Sequence, residues 1–375
     1  MWVNNMEFLD RYFNLKSRLA RFKLKSDFET VKTVSVIDAL ADRADTIARV
    51  AVPFGARAGY DAESFITKAE GYLEVLERGE FPLQGKFTEP GIALVDHSFI
   101  QHEGKMHVFY IRNQIGYEWR ERPDDTIGHA VSEDLENWEI LPPAVATQYG
   151  TLSNFQVWAP GVVKRGDTFY MFYTGVNRNV AQSTFLATSK DLNTWEYYDK
   201  NPVYVPGDWC PWDENKWSNC RDHMVMDDDG TYYMYFCTSV KRDDGSVINA
   251  TGVAKSTDLY HWEDVNQFNI ASNQHAQESP FCIKHNGKYY LFYTGCGRGT
   301  CYAVSDNPAT DWVDMGLLIG TDVHTGDPAH VPSCSEVFEF KGQWYISYCT
   351  RQPGFEQYLE IKKFRWNDDG TVSVL

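Results

Sequence analysis

The feature that most constrains this chain is a fivefold internal repeat. From about residue 85, apolar and polar residues alternate with a period of two, as in strands that have one buried face. Five segments pair a turn glycine with an aromatic strand: Gly104-Lys-Met-His-Val-Phe-Tyr110, Gly166-Asp-Thr-Phe-Tyr-Met-Phe-Tyr173, Gly230-Thr-Tyr-Tyr-Met-Tyr-Phe236, Gly287-Lys-Tyr-Tyr-Leu-Phe-Tyr293 and Gly342-Gln-Trp-Tyr-Ile-Ser-Tyr348. The glycines lie 62, 64, 57 and 55 residues apart. Four units add a second motif, in which a strand meets a polar turn and then a Trp: His129 to Trp138, Leu186 to Trp195, Val253 to Trp262 and Tyr302 to Trp312. A repeat of this length holds about four short strands, which is one propeller blade. A lone blade cannot cover its sheet, and radial neighbours can. The fold expected is therefore all-β, a five-bladed β-propeller over residues 85–375. A β-sandwich would not need five copies of one unit. The fifth unit lacks the Ser…Trp motif, so its outer strand is expected from Asp368 to Leu375 or from about residues 84–95.

Residues 1–84 have a different period. Phe8, Tyr12, Leu15, Leu19 and Phe22 recur at helical spacing, as do Val36, Leu40, Ala44 and Ile47, and Phe65, Ala69, Tyr72, Leu73 and Leu76. They predict an N-terminal helical extension of two to four amphipathic helices. Its apolar faces must be covered, either by packing or by a homodimer built through these helices.

Net charge is −17 with a pI near 5.0. That disfavours nucleic acid and anionic membranes, which need a basic face, and suits a neutral partner. No apolar run approaches the ~20 residues of a membrane span, and no signal-peptide pattern opens the chain, so a cytoplasmic location is expected. Eight cysteines are scattered without a CxxC pair. They are expected as free buried thiols, with Cys210–Cys220 or Cys296–Cys301 as pairings in an oxidising compartment.

The functional signal lies just before each turn glycine, in the strand that lines the propeller axis. Asp96, Trp158 and Asp222 each precede their glycine by eight residues, and Glu278 precedes Gly287 by nine. In the fifth unit the offset reaches Cys334, with Glu336 two residues on. Matched offsets in radial repeats bring these side chains towards one point. Clustered acids are costly unless paired or functional, and proximity drives their pKa values apart, as acid–base cleavage of a glycosidic bond requires.

Val95-Asp96-His-Ser-Phe-Ile, Val157-Trp-Ala-Pro-Gly-Val-Val163, Arg221-Asp-His-Met-Val-Met-Asp-Asp-Asp-Gly230 and Gln277-Glu-Ser-Pro-Phe-Cys-Ile-Lys-His-Asn-Gly287 resemble glycoside hydrolase family 43 over roughly residues 88–350. That family shares its fold with the fructan-cleaving families 32 and 68. The resemblance implies Asp96 as general base, Asp222 as the acid that orients the pair and tunes its pKa, and Glu278 as general acid. The chain departs from the family pattern where His97 and His223 stand in place of proline and Ser279 in place of glycine. Arg221 before Asp222 resembles the fructosidase families, and the Asn-Asp-Pro-Asn-Gly start of family 32 is absent. Inversion or retention follows from the carboxyl separation, about 6.5–9.5 Å or about 5–5.5 Å respectively.

Trp158, Trp209, Trp217 and Arg221 are candidate substrate contacts, the indoles by stacking on sugar rings. His330, in Pro328-Ala-His-Val-Pro-Ser-Cys-Ser-Glu336, is a further candidate. Alternation points His97 and His223 away from the pocket. No cofactor is required. In related propellers a histidine from the His330 region approaches the axis, at times beside a calcium ion. Asp227-Asp228-Asp229-Gly230 looks like a calcium loop but reads more simply as a hairpin turn. The function expected is exo-acting hydrolysis of short oligosaccharides that carry an arabinofuranoside, xyloside or fructofuranoside unit. The alternatives are a non-catalytic carbohydrate-binding propeller, or a transglycosylase or phosphorylase on the same fold. Phosphorolysis would draw its basic pocket from Arg221, Arg298 or Arg351.

Overall fold

A computed structural model describes residues 5–23, 25, 28–54, 62–79, 86–89, 92–114, 124–270, 277–295, 299–320, 332–350 and 358–375. The chain divides into two compact units. The helical one includes Met1–Ala93. It holds α1 (Asn5–Ala20), α2 (Phe28–Phe54) and α3 (Ala62–Glu77), followed by the two-residue strand β1 (Lys86–Phe87). Phe8, Leu15 and Leu19 of α1, Ile37, Leu40 and Ala44 of α2, and Phe65, Ala69, Leu73 and Leu76 of α3 form one buried cluster. The periodic apolar faces therefore close on one another. Arg11 pairs with Glu70 at 2.6 Å, Arg18 with Glu77 at 2.6 Å and Lys16 with Asp38 at 2.8 Å, which ties α1 to both other helices. Among the described residues, no helix is long and apolar enough to cross a membrane.

The second unit contains the repeat. Its sheets are β2–β5 (Ile92–His102, Lys105–Gln114, Thr126–Ser132, Trp138–Ala146), β6–β9 (Gln156–Arg165, Thr168–Val176, Gln182–Ser189, Trp195–Tyr197), β10–β13 (Cys220–Asp228, Thr231–Lys241, Val247–Ser256, Glu263–Phe268) and β14–β17 (Gln277–His285, Lys288–Gly295, Gly299–Ser305, Val313–Gly320). In each, successive strands are neighbours. The fifth sheet contains β18 (Ser333–Phe340), β19 (Gln343–Thr350) and β20 (Tyr358–Trp366), and β21 (Val372–Val374) pairs with β20. This is a five-bladed propeller. The chain's last strand does join the fifth blade, within the stretch that began at Asp368.

The Ser-x-Asp-Leu motif has a local cause. Ser132 Oγ accepts the N–H groups of Asp134 and Leu135, and Asp134 Oδ1 accepts those of Glu136 and Asn137. The side chains thus replace a backbone turn. Leu135 is forced to a φ of 68°, and the Trp138 indole donates to its carbonyl at 3.1 Å. Ser189, Asp191, Leu192 and Trp195 repeat the arrangement in the second blade. All seven cysteines among the described residues are buried free thiols, including Cys210 and Cys220.

Candidate active site

The innermost strands of the second to fifth blades each carry a bulge. Pairing with the neighbouring strand slips between Trp158 and Gly161, Arg221 and Met224, Glu278 and Phe281, and Ser333 and Glu336. Inside each slip one residue is left-handed: Ala159 (φ 40°), Asp222 (φ 60°), Ser279 (φ 49°) and Cys334 (φ 58°). Such conformations cost of order 1–3 kcal/mol in non-glycine residues and tend to concentrate at functional sites. Each of these four lies six residues before the last residue of its strand, as Asp96 does in β2. Asp96, Ala159, Asp222, Ser279 and Cys334 therefore form one ring, and all five line a single small axial hollow.

This register corrects the matching made from the turn glycines. In the second blade the turn is Gly166-Asp167, with glycine first, whereas the third blade turns at Asp229-Gly230, with glycine second. Counting from glycine is therefore one residue off in the second blade. Trp158 shares its place with Arg221 and Glu278, and Ala159 is the counterpart of Asp222. Glu278 likewise sits one residue before the ring, where its side chain is 41% exposed while that of Asp222 is 7% exposed. Asp222 is thus deep in the hollow, Asp96 lines it half-buried, and Glu278 stands more exposed.

Two residues join these acids. Ser279 Oγ donates to Asp96 Oδ1 at 2.5 Å, and its backbone N–H donates to Asp222 Oδ2 at 3.1 Å. Arg221, buried, donates from Nη2 to Glu278 Oε1 at 2.7 Å and holds Nε 3.6 Å from Asp222 Oδ2. Its Nη1 is fixed by Asn219 Oδ1 at 2.6 Å and Gln182 Oε1 at 3.3 Å. The guanidinium so divides its charge between two carboxylates in a fork that a lysine could not reproduce.

Burial pushes Asp96 well above the usual carboxylate range, with Cys334 and Glu278 adding to the effect and the Ser279 hydroxyl opposing it. Burial and then the charge of Asp96 push Asp222 up to about 8, against the pull of Arg221. Two acids that oppose each other's charge in this way do not both ionise readily, so the cluster retains a proton near neutrality.

The flanking histidines fasten blades. His97 Nε2 lies 2.7 Å from Ser347 Oγ, and His223 Nε2 lies 2.7 Å from Thr184 Oγ1. Burial drives both pKa values down to about 3, so the rings are neutral. Gly161 admits the neighbouring strand: a Cβ there would meet the His223 carbonyl at 2.2 Å. Glu336 lines the hollow, accepts the Phe99 N–H at 2.8 Å and is raised by burial to about 8.

Trp217 is 43% exposed, with the Arg221 guanidinium 5.9 Å from its ring. Trp209 does not join it. Its indole donates to Asp264 Oδ2 at 2.8 Å on β13, the outer strand, and it packs on the blade core, which satisfies both its polar tip and its apolar face. His330, Arg298 and Arg351 lie outside the described residues. Asp227 Oδ1 accepts the Gly230 N–H at 2.8 Å, which closes a hairpin turn. Among the described residues, no group of three His, Cys, Asp or Glu side chains is placed to hold a metal ion.

Counting from glycines reached Cys334 but missed Ser279, Gln182 and Asn219. Of these only Ser279 carried a visible signal, its place beside Glu278 where the resembling family has glycine.

Solved structures share the architecture. A thermostable family-43 glycoside hydrolase aligns with a TM-score of 0.62 at 21% identity, over 78% of this chain and 94% of that one. A bifunctional fructosyltransferase from Allium cepa is 36% identical over 112 residues, 28% of this chain and 18% of that protein. A beta-xylosidase from Xylanibacter ruminicola is 28% identical over 103 residues, 26% of this chain and 30% of that protein. The chain thus matches less than a third of the length of either curated relative. The model for glycosyl hydrolases family 43 matches residues 96–372, from the first ring acid to the last strand, and the chain belongs to that family.

Proposed function

We propose that the chain is a glycosidase in which Asp96, Asp222 and Glu278 carry the chemistry. The observation that supports this best is the linkage of three carboxylates from three blades, through Ser279 and Arg221, at one axial hollow. Glu278, whose side chain is 41% exposed, protonates the departing glycosidic oxygen in this reading. Asp96, which lines the hollow, takes a proton from water as the water oxygen bonds to the anomeric carbon and the glycosidic bond breaks. Asp222 orients the pair and, through its own charge, tunes it.

The substrate proposed is a short oligosaccharide with a terminal pentose or furanose unit, in keeping with the xylosidase and fructosyltransferase names of the relatives. A narrow axial hollow suits removal of an end unit. Trp158 and Trp217, half-buried and exposed respectively, are proposed as stacking surfaces, and no cofactor is invoked. A homodimer through the helices draws on the exposed Phe13, and light scattering of Phe13→Glu against the parent would test it.

The deciding experiment is a panel of aryl glycosides of arabinose, xylose, fructose and galactose assayed with the parent and Glu278→Gln. Turnover of one by the parent, with loss of about 10²–10⁴-fold in the variant that is smaller for good leaving groups, supports the reading. Calorimetric binding of sugars without turnover of any would favour the binding-module alternative.

A further inference from the structure

The residue after the proposed acid is a serine, and its two polar groups serve different acids. The backbone N–H reaches Asp222 and the hydroxyl reaches Asp96 across 183 residues of chain. The hydroxyl has one proton and two neighbours, Asp96 Oδ1 at 2.5 Å and Cys334 Sγ at 3.5 Å. A carboxylate at the shorter distance is much the better acceptor. Ser279 is also left-handed, with φ at 49°, a conformation that glycine adopts without strain. A side chain is thus kept where the backbone favours having none, and the oxygen it adds is bonded to an axial acid.

We propose that Ser279 is a positioning residue for the reaction: its hydroxyl fixes the rotation of the Asp96 carboxyl and favours its ionised form, the one that accepts a proton from water. The inference rests on Asp96 being the base. Asp96 is faced by Asp222 from β10, Glu278 from β14 and Cys334 from β18, with Glu336 of β18 lining the same hollow, while the ring residue of β6 is the uncharged Ala159. Most of these oppose its ionisation, by burial or by like charge. The donated hydrogen bond acts the other way, since a bond to the charged form favours that form. Arg221 spends its contacts on Glu278 and Asp222, so the hydroxyl is the group that serves Asp96 in particular.

The test uses Ser279→Ala and Ser279→Gly in the full chain, with kcat/KM measured against pH on the best substrate of the panel. Both variants retain the backbone N–H that serves Asp222. The acid limb, where the base must lose its proton, should move up by about one pH unit in both, so that activity below the limb falls about tenfold. Thermal melting controls for structure. The glycine variant relieves the left-handed strain and should melt no lower than the parent, and a shift in the limb without a loss of Tm identifies the hydroxyl. An acid limb that stays in place in either variant overturns the proposal. Asp96→Asn separates the two claims: if it retains activity, Asp96 is not the base, whereas if it is inactive and the limb of the serine variants is unmoved, only the role of Ser279 falls.

Discussion

Replacing Glu336 with glutamine should stabilise the protein, and by more as pH rises. Glu336 is 8% exposed, and burial lifts its pKa from 4.5 to about 8. A carboxyl whose folded pKa exceeds its unfolded value favours folding below pH 4.5, and that contribution is lost as pH climbs through 8. Each pH unit in this window is worth about 1.4 kcal/mol, so between pH 5.5 and 7.5 the wild type loses up to about 3 kcal/mol through this group. Glutamine has the shape of the protonated acid and can still accept the Phe99 N–H, which at 2.8 Å bonds β18 to β2. Urea unfolding of both proteins at the two pH values isolates the effect, because groups that titrate alike in both cancel in the difference. The stability gap should widen in favour of the variant by about 1–3 kcal/mol at the higher pH, with m unchanged. A gap that is constant with pH, or that favours the glutamate more at pH 7.5, would show that Glu336 is not held protonated and would refute the reasoning.

Four other outcomes are expected. Trp217→Ala should raise KM about two- to tenfold with little change in kcat, the loss of one stacking face, measured by steady-state kinetics. Arg221→Lys should lower kcat on unactivated substrates at least tenfold, because a single ammonium cannot serve Glu278, Asn219 and Gln182 together. Gly161→Ala should cost about 1–3 kcal/mol in thermal or urea unfolding, since the Cβ meets backbone rather than a movable side chain. His223 is buried neutral with a pKa of about 3, so its contribution is present above pH 6.5 and is lost as pH falls towards 3. His223→Gln should flatten the fall in stability between pH 6.5 and 5 by about 1–2 kcal/mol.

The architecture was legible because the repeat is written in residues with local causes. Ser132, Asp134 and Leu135 build their turn from their own side chains, so the motif announces the turn wherever it recurs. The three helices were legible for the same reason, as Phe8, Leu15 and Leu19 needed only period and polarity. The acids at 96, 222 and 278 stood out as charges at the start of apolar strands. What escaped was register. A single exchange in the order of turn residues, Gly166-Asp167 against Asp229-Gly230, moves the matched position by one, and in a strand one residue changes which way a side chain faces. Trp209 escaped because a tryptophan on a polar loop has the same appearance in sequence whether it meets a sugar or Asp264 of β13. Ser279 was seen as a departure, but that its hydroxyl reaches a residue 183 positions away depends on the closure of the whole ring.

The kink that four of the inner strands share has a further implication for how such a protein changes. Delivery to the axis is a property of the main chain, so whatever side chain occupies that kink arrives at the centre without further design. Ala159 and Cys334 hold two of the five places with groups that carry no charge near neutrality. A single codon change at either could add an acid, a base or a metal-binding donor to the cavity while the surrounding scaffold stays as it is. Aspartate at 159 is the simplest trial, since it tolerates the left-handed backbone and would face the existing pair from the blade between them.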